Sequence, residues 1–121
     1  RIMLGTFVLS AGYYDAYYTK GLKVRRLIKN KTEEIFKGYD FILTPTTPGT
    51  AFEFGANSAD PVKMYLEDIF TVQGNICGIP AISIPVSVHS NGLHFGIQIM
   101  SPKFSEAKLL AFSKTLEQLI S

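Results

Sequence analysis

From Asp15 to about Phe36 the apolar positions recur at helical spacing. Tyr17, Gly21, Val24, Ile28 and Ile35 fall on one side, while Lys20, Lys23, Arg26 and Lys31 spread over the rest. This pattern predicts a long helix with Asp15 as its N-cap, Tyr17 in the core and Gly21 where another backbone approaches closely. A shorter helix is predicted over residues 2–10. After Gly38, "YDFILTP" reads as a fully buried strand running into the proline-rich loop "TPTTPGTAF". Asp60 followed by Pro61 is a cap-and-proline helix start, and it launches the segment "MYLEDIFTVQGN".

Farther along, "AISIPV" and "LHFGIQIM" alternate as strands do, separated by "SVHSNG" with Asn91-Gly92 as a hairpin signal. Ile82, Ile84 and Val86 share one face of the first strand, and Leu93, Phe95, Ile97 and Ile99 share one face of the second. Both opposite faces are small or polar. A closing helix is predicted from near Ser105, with Glu106 in its first turn and Leu109, Phe112, Leu116 and Leu119 buried. The sum is an α/β fold, a mixed β-sheet flanked by helices, in a single partial domain over residues 1–121.

One position breaks the pattern. Met64, Tyr65, Asp68, Ile69 and Val72 form a single helical stripe, so Asp68 is a carboxylate on a face expected to pack inward. An unpaired carboxylate among apolar groups costs several kcal/mol. Burial alone leaves two accounts open: Asp68 caps or pairs with a neighbouring group of the protein, or it is kept for a ligand.

Composition narrows the classes. A net charge of +2 over 121 residues is too small to imply a nucleic-acid or membrane partner, and no apolar run is long enough to span a bilayer. A single cysteine, Cys77, excludes an internal disulfide, fits a reducing and therefore cytoplasmic setting, and reads as a packed, inert thiol between apolar neighbours. His89 and His94 have no second ligand at metal spacing, so no metal site is expected. There is no phosphate loop, no dinucleotide fingerprint and no serine in a nucleophile elbow. The basic run "KGLKVRRLIKNK" carries no interleaved aromatic platform on its exposed face and reads as a solvated helix face. The first residue is Arg1, with no initiating methionine, and the chain is expected to be a piece of a longer protein.

Six segments, in order, change the reading: "RIMLGTFVLSAGYYDAYYTKGLKVRRLI", "FILTPTTP", "DPVKMYLEDIFT", "CGIPAISIPV", "NGLHFGIQIM" and "LEQL". Together they resemble the C-terminal part of the amidase signature family, in the branch that forms the A subunits of tRNA-dependent amidotransferases. The resemblance covers essentially the whole chain. It implies a glutamine-hydrolysing subunit that feeds ammonia to a partner, which amidates Glu-tRNA(Gln) to Gln-tRNA(Gln) in a heterotrimer with B and C subunits. ATP and Mg belong to the partner subunit, and tRNA is met mainly through that partner; no cofactor and no membrane contact are expected of this chain.

In that family the nucleophile is a serine activated through a second serine and a lysine. All three lie upstream of the part resembled here, so no catalytic residue is assigned to this chain, Ser83 included, and the chain alone is expected to be inactive. Two family residues do fall on matching positions. Arg1, in "RIMLGT", matches the arginine that holds the glutamine α-carboxylate, and Asp68, in "MYLED", matches the aspartate that holds the α-ammonium. A free amino acid is a zwitterion, so a selective pocket needs one planar cationic fork and one fixed anion. The chain departs from the family at Gln73-Gly74, where proline and alanine are usual, at the hairpin "NGLHFG", and at "MSPKFSE" in place of a Gly-Lys-Pro type turn. Two alternatives remain: a fragment of a stand-alone amidase of the same family, which needs no zwitterion clamp, and a non-catalytic interaction module.

Overall fold

The computed structural model describes residues 2–10, 12–56 and 60–120. Five helices, α1 (Ile2–Val8), α2 (Lys20–Ile35), α3 (Pro61–Leu66), α4 (Val72–Cys77) and α5 (Glu106–Ile120), surround three strands, β1 (Ile42–Pro45), β2 (Ala81–Val88) and β3 (His94–Met100). A π-helical segment, Tyr14–Thr19, runs directly into α2.

The sheet has the order β1-β3-β2, and both pairings are antiparallel, with Leu43 opposite Ile99 on one side and Ile82 opposite Ile99 on the other. The expectation of helices flanking a sheet holds, but the parallel pairs of a mixed sheet do not occur among the described residues. Proline explains the order. Pro45 and Pro85 lack the N–H that a central strand must donate, and both lie on edge strands, leaving proline-free β3 in the middle. The ladder between β2 and β3 is irregular between Pro85 and Ser87. Strand β1, expected to be fully buried, alternates between half-buried and exposed, as an edge strand with one covered face does.

Ile84, Ile99 and Leu109 form the buried core, packed by Phe41, Ile82, Ile97, Phe112 and Leu116. The phenyl rings of Phe41 and Phe112 stack at 4.2 Å and fasten the entrance of β1 to α5. Leu119, expected to be buried, is exposed near the end of α5. Outside this core cluster, α2 packs against α4 through Thr32. Its Oγ1 donates to Ile28 O at 3.0 Å and accepts from Gln73 Nε2 at 3.2 Å and Cys77 Sγ at 3.4 Å.

Several local expectations change. Asp15 is not an N-cap; it lies inside the π-helical segment and accepts a hydrogen bond from Thr19 Oγ1 at 3.3 Å. Tyr17 is exposed and stacks on Tyr13 at 5.7 Å instead of entering the core. Nothing stands within 4 Å of a Cβ built on Gly21, so that glycine serves no close approach among the described residues. The hairpin closes as expected: His89 N donates to Leu93 O, and Gly92 takes φ 80°. The cap of α3 is also as expected, with the Asp60 carboxylate accepting from Val62 N at 2.9 Å and Lys63 N at 3.4 Å.

Two glycines separate sharply. A Cβ on Gly96 would stand 2.7 Å from Ile84 O, whereas one on Gly74 meets Ala81 Cβ at an ordinary 3.5 Å. Gly96→Ala should therefore destabilise the protein by about 1–3 kcal/mol through forced movement of β2. Gly74→Ala should be neutral or stabilising by up to about 1 kcal/mol, through helix propensity. Denaturant unfolding of the two variants of the intact protein checks the contrast.

Candidate functional site

Asp68 sits in the turn 67–71 that separates α3 from α4, not within one continuous helix. The turn is held by its own backbone. Asp68 N donates to Tyr65 O at 3.3 Å, and Asp68 O accepts from Val72 N at 3.0 Å and from Thr71 Oγ1 at 3.2 Å. The far end is held from the sheet, where the buried side chain of Gln98 donates to Phe70 O at 3.0 Å.

The side chain of Asp68 is exposed in this chain. So are the apolar members of its stripe, Met64, Tyr65, Ile69 and Val72, each between 42% and 53% accessible. The inward-facing stripe expected from the sequence is not formed by one helix, since it is split between α3, the turn and α4, and its apolar members are exposed. Beside it lies an apolar cleft of about 340 Å³, lined by Pro45, Pro48, Leu66, Ile69 and Phe70. Asp68 itself does not line the cleft, but its neighbours in the chain Ile69 and Phe70 do, which sets an exposed acid next to apolar surface. Arg1, the other residue expected to contact the substrate, lies outside the described residues.

The remaining candidates resolve as follows. Ser83 Oγ shares a hydrogen bond with Thr46 Oγ1 at 2.6 Å, a pair of hydroxyls with no general base in it. His89 Nδ1 lies 3.4 Å from the Asn91 amide and organises the hairpin turn, and His94 is exposed on β3. Among the described residues, no group of three or more His, Cys, Asp or Glu side chains is placed to hold a metal ion. No described helix is long and apolar enough to cross a membrane. Arg25, Arg26 and Lys29 of the basic helix, together with Lys103, line a separate cavity of about 360 Å³. Arg25 is tied down there, its Nε donating to Ile76 O at 3.0 Å. Gln98 is the residue that sequence reasoning missed. A polar side chain between Ile97 and Ile99 on the central strand was its only signal.

Comparison with known proteins gives the frame. The profile of the Amidase family matches residues 1–110. The chain is 56% identical over 121 residues to the A subunit of glutamyl-tRNA(Gln) amidotransferase of Halothermothrix orenii, covering 100% of this chain and 25% of that protein. It is 52% identical over 120 residues to the protein of the same name from Pelagibacter ubique, again covering 25% of it. Among solved structures, the A subunit of the Thermotoga maritima glutamyl-tRNA(Gln) amidotransferase superposes with a TM-score of 0.76 at 50% identity, covering 89% of this chain and 24% of that one. A 6-aminohexanoate cyclic dimer hydrolase superposes at 0.74 with 24% identity, a likeness of fold alone. The chain spans about a quarter of the length of these relatives.

Cys77 is 3% accessible and its thiol donates to Thr32 Oγ1. In the native protein it should resist thiol-specific reagents and become modified only on unfolding. Labelling followed by intact-mass measurement, with and without denaturant, checks this; rapid native labelling would show that α2 and α4 part readily.

Proposed function

The chain belongs to the Amidase family, and on that footing we propose that it is part of the glutamine-hydrolysing subunit of a tRNA-dependent amidotransferase. What carries the reading beyond the family is identity. It stands at 50–56% over nearly the whole chain against amidotransferase A subunits, and at 24% against a hydrolase of the same fold. A stand-alone amidase is the weaker reading for that reason.

The role assigned to this chain is selection of glutamine. The substrate carries an α-ammonium and an α-carboxylate, and its apolar methylenes lie between them and the amide that is cleaved. Asp68 supplies the fixed anion for the ammonium, and Arg1 supplies a planar fork for the carboxylate. The exposed apolar residues Met64, Tyr65, Ile69 and Val72, near Asp68 in the chain, support this reading. They provide low-dielectric walls that the rest of the protein closes over, and a charge pair gains strength as water leaves. An amide without the amino-acid end would leave both protein charges unpaired and is rejected on that account.

Hydrolysis itself is assigned to the family's serine–serine–lysine group, outside this chain. Ammonia then passes to a partner that uses ATP and Mg to activate glutamate on the misacylated tRNA. The assembly proposed is a heterotrimer of A, B and C subunits in the cytoplasm.

In the full-length, assembled protein Asp68→Ala should raise the glutamine KM by at least about tenfold, equivalent to about 1.4 kcal/mol of lost binding, while tRNA binding survives. Arg1→Lys should show a milder rise, because an ammonium cannot make the bidentate contact. Steady-state glutaminase kinetics measure both. An unchanged glutamine KM in Asp68→Ala would remove the assignment.

A further inference from the structure

We propose that Gln98 is a positioning residue for the glutamine site: by gripping the carbonyl of Phe70, its side chain sets where the Asp68 carboxylate stands. The inference rests on the reading of Asp68 given above and adds to it the group that aims the carboxylate.

Gln98 lies at the centre of β3, between Thr44 on one neighbouring strand and Ser83 on the other. Its side chain leaves the sheet on the face opposite Ile97 and Ile99, which belong to the core under α5. It is 4% accessible. A side-chain amide has two N–H donors, and both are used: Nε2 donates to Thr44 Oγ1 at 3.2 Å and to Phe70 O at 3.0 Å.

The second bond is the informative one. Phe70 lies in the turn 67–71, two residues beyond Asp68. This side-chain bond ties the turn to the sheet, whereas the backbone bonds of Asp68 to Tyr65 and Val72 are local. A turn held only by local bonds can pivot as a unit. One whose far carbonyl is fixed to the central strand cannot, and the carboxylate inherits the rigidity of the sheet. Fixed placement matters because an anion that must wait for a mobile loop binds its cation less tightly.

The test is made in the full-length, assembled enzyme with three variants and two substrates, glutamine and glutaramate, the same amide without the α-amino group. Gln98→Met keeps length and apolar bulk and removes both donors. It should raise the glutamine KM by about fivefold with kcat within about twofold, because aim is lost and chemistry is not. Its KM for glutaramate should stay within about twofold, since that substrate has no ammonium to place. Thr44→Val removes the other partner of Gln98 and leaves the Phe70 bond, so it should leave both KM values within about twofold. Asp68→Asn is the control on the underlying reading.

If Asp68→Asn raises the glutamine KM and Gln98→Met does not, or if Gln98→Met shifts both substrates alike, Gln98 is a structural residue only and the proposal fails. If Asp68→Asn itself leaves the glutamine KM unchanged, the ammonium assignment falls first and the positioning role with it. Should Gln98→Met not fold, hydrogen exchange on the unmodified enzyme decides. The Val72 amide, bonded to Asp68 O, should be protected to within roughly tenfold of the β3 amides if the turn is tied to the sheet. Exchange at the rate of a freely exposed turn would overturn the proposal.

Discussion

Strand β3 is paired on both sides, and the rest of the structure hangs from it. Ile99 lies opposite Leu43 and Ile82 at once and is fully buried, with the α5 residues Leu109, Phe112 and Leu116 packed over the core it belongs to. The next residue back, Gln98, points the other way and holds the turn that bears Asp68. Because side chains alternate along a strand, adjacent residues of β3 serve opposite purposes. One builds the core, and the other carries the rigidity of that core to the site. The close approach of β2 at Gly96 belongs to the same arrangement, since any outward movement of β2 would loosen the strand on which Gln98 stands.

What was legible in the sequence follows from local chemistry. The Asp60 cap, the Asn91-Gly92 hairpin and the start of α5 at Glu106 all depend on neighbours a few residues apart and appear where the pattern places them, as do Ile82, Ile84, Ile97 and Ile99 in the core, whereas Leu93 and Phe95 are exposed. The central position of β3 was legible too, had Pro45 and Pro85 been weighed as edge markers. Burial was harder to read. Tyr17, Leu119 and the Asp68 stripe carry the apolar spacing of core positions, yet they are exposed here, because periodicity shows which face is apolar and not what covers it. The turn between α3 and α4 is held by Gln98, 28 residues beyond Phe70, and no local pattern encodes that contact.

The uncovered surface and the length of the chain fit together. Large exposed apolar patches commonly mark surfaces that are covered in the working molecule; here Met64, Tyr65, Ile69 and Val72 are exposed near Asp68 in the chain, and the chain spans about a quarter of its relatives' length. On the account proposed here the remainder of the protein closes that face, and glutamine binds at the junction. The departures Gln73 and Gly74 lie in α4, where Gln73 donates to Thr32 and a Cβ at Gly74 meets only Ala81 and Ile79 at ordinary contact distances. They adjust the packing of α4 on α2 and leave the turn carrying Asp68 to the grip of the sheet.

The central claim is that Asp68 receives the ammonium of the substrate. A structure of the intact assembly with glutamine bound and hydrolysis blocked tests it most directly. The account predicts an Asp68 carboxylate oxygen about 2.8 Å from the α-nitrogen, in a charge-assisted hydrogen bond, with the α-carboxylate on Arg1. An α-nitrogen held by other groups, with Asp68 turned onto a neighbouring residue of the protein, would contradict it and return this carboxylate to a purely structural role.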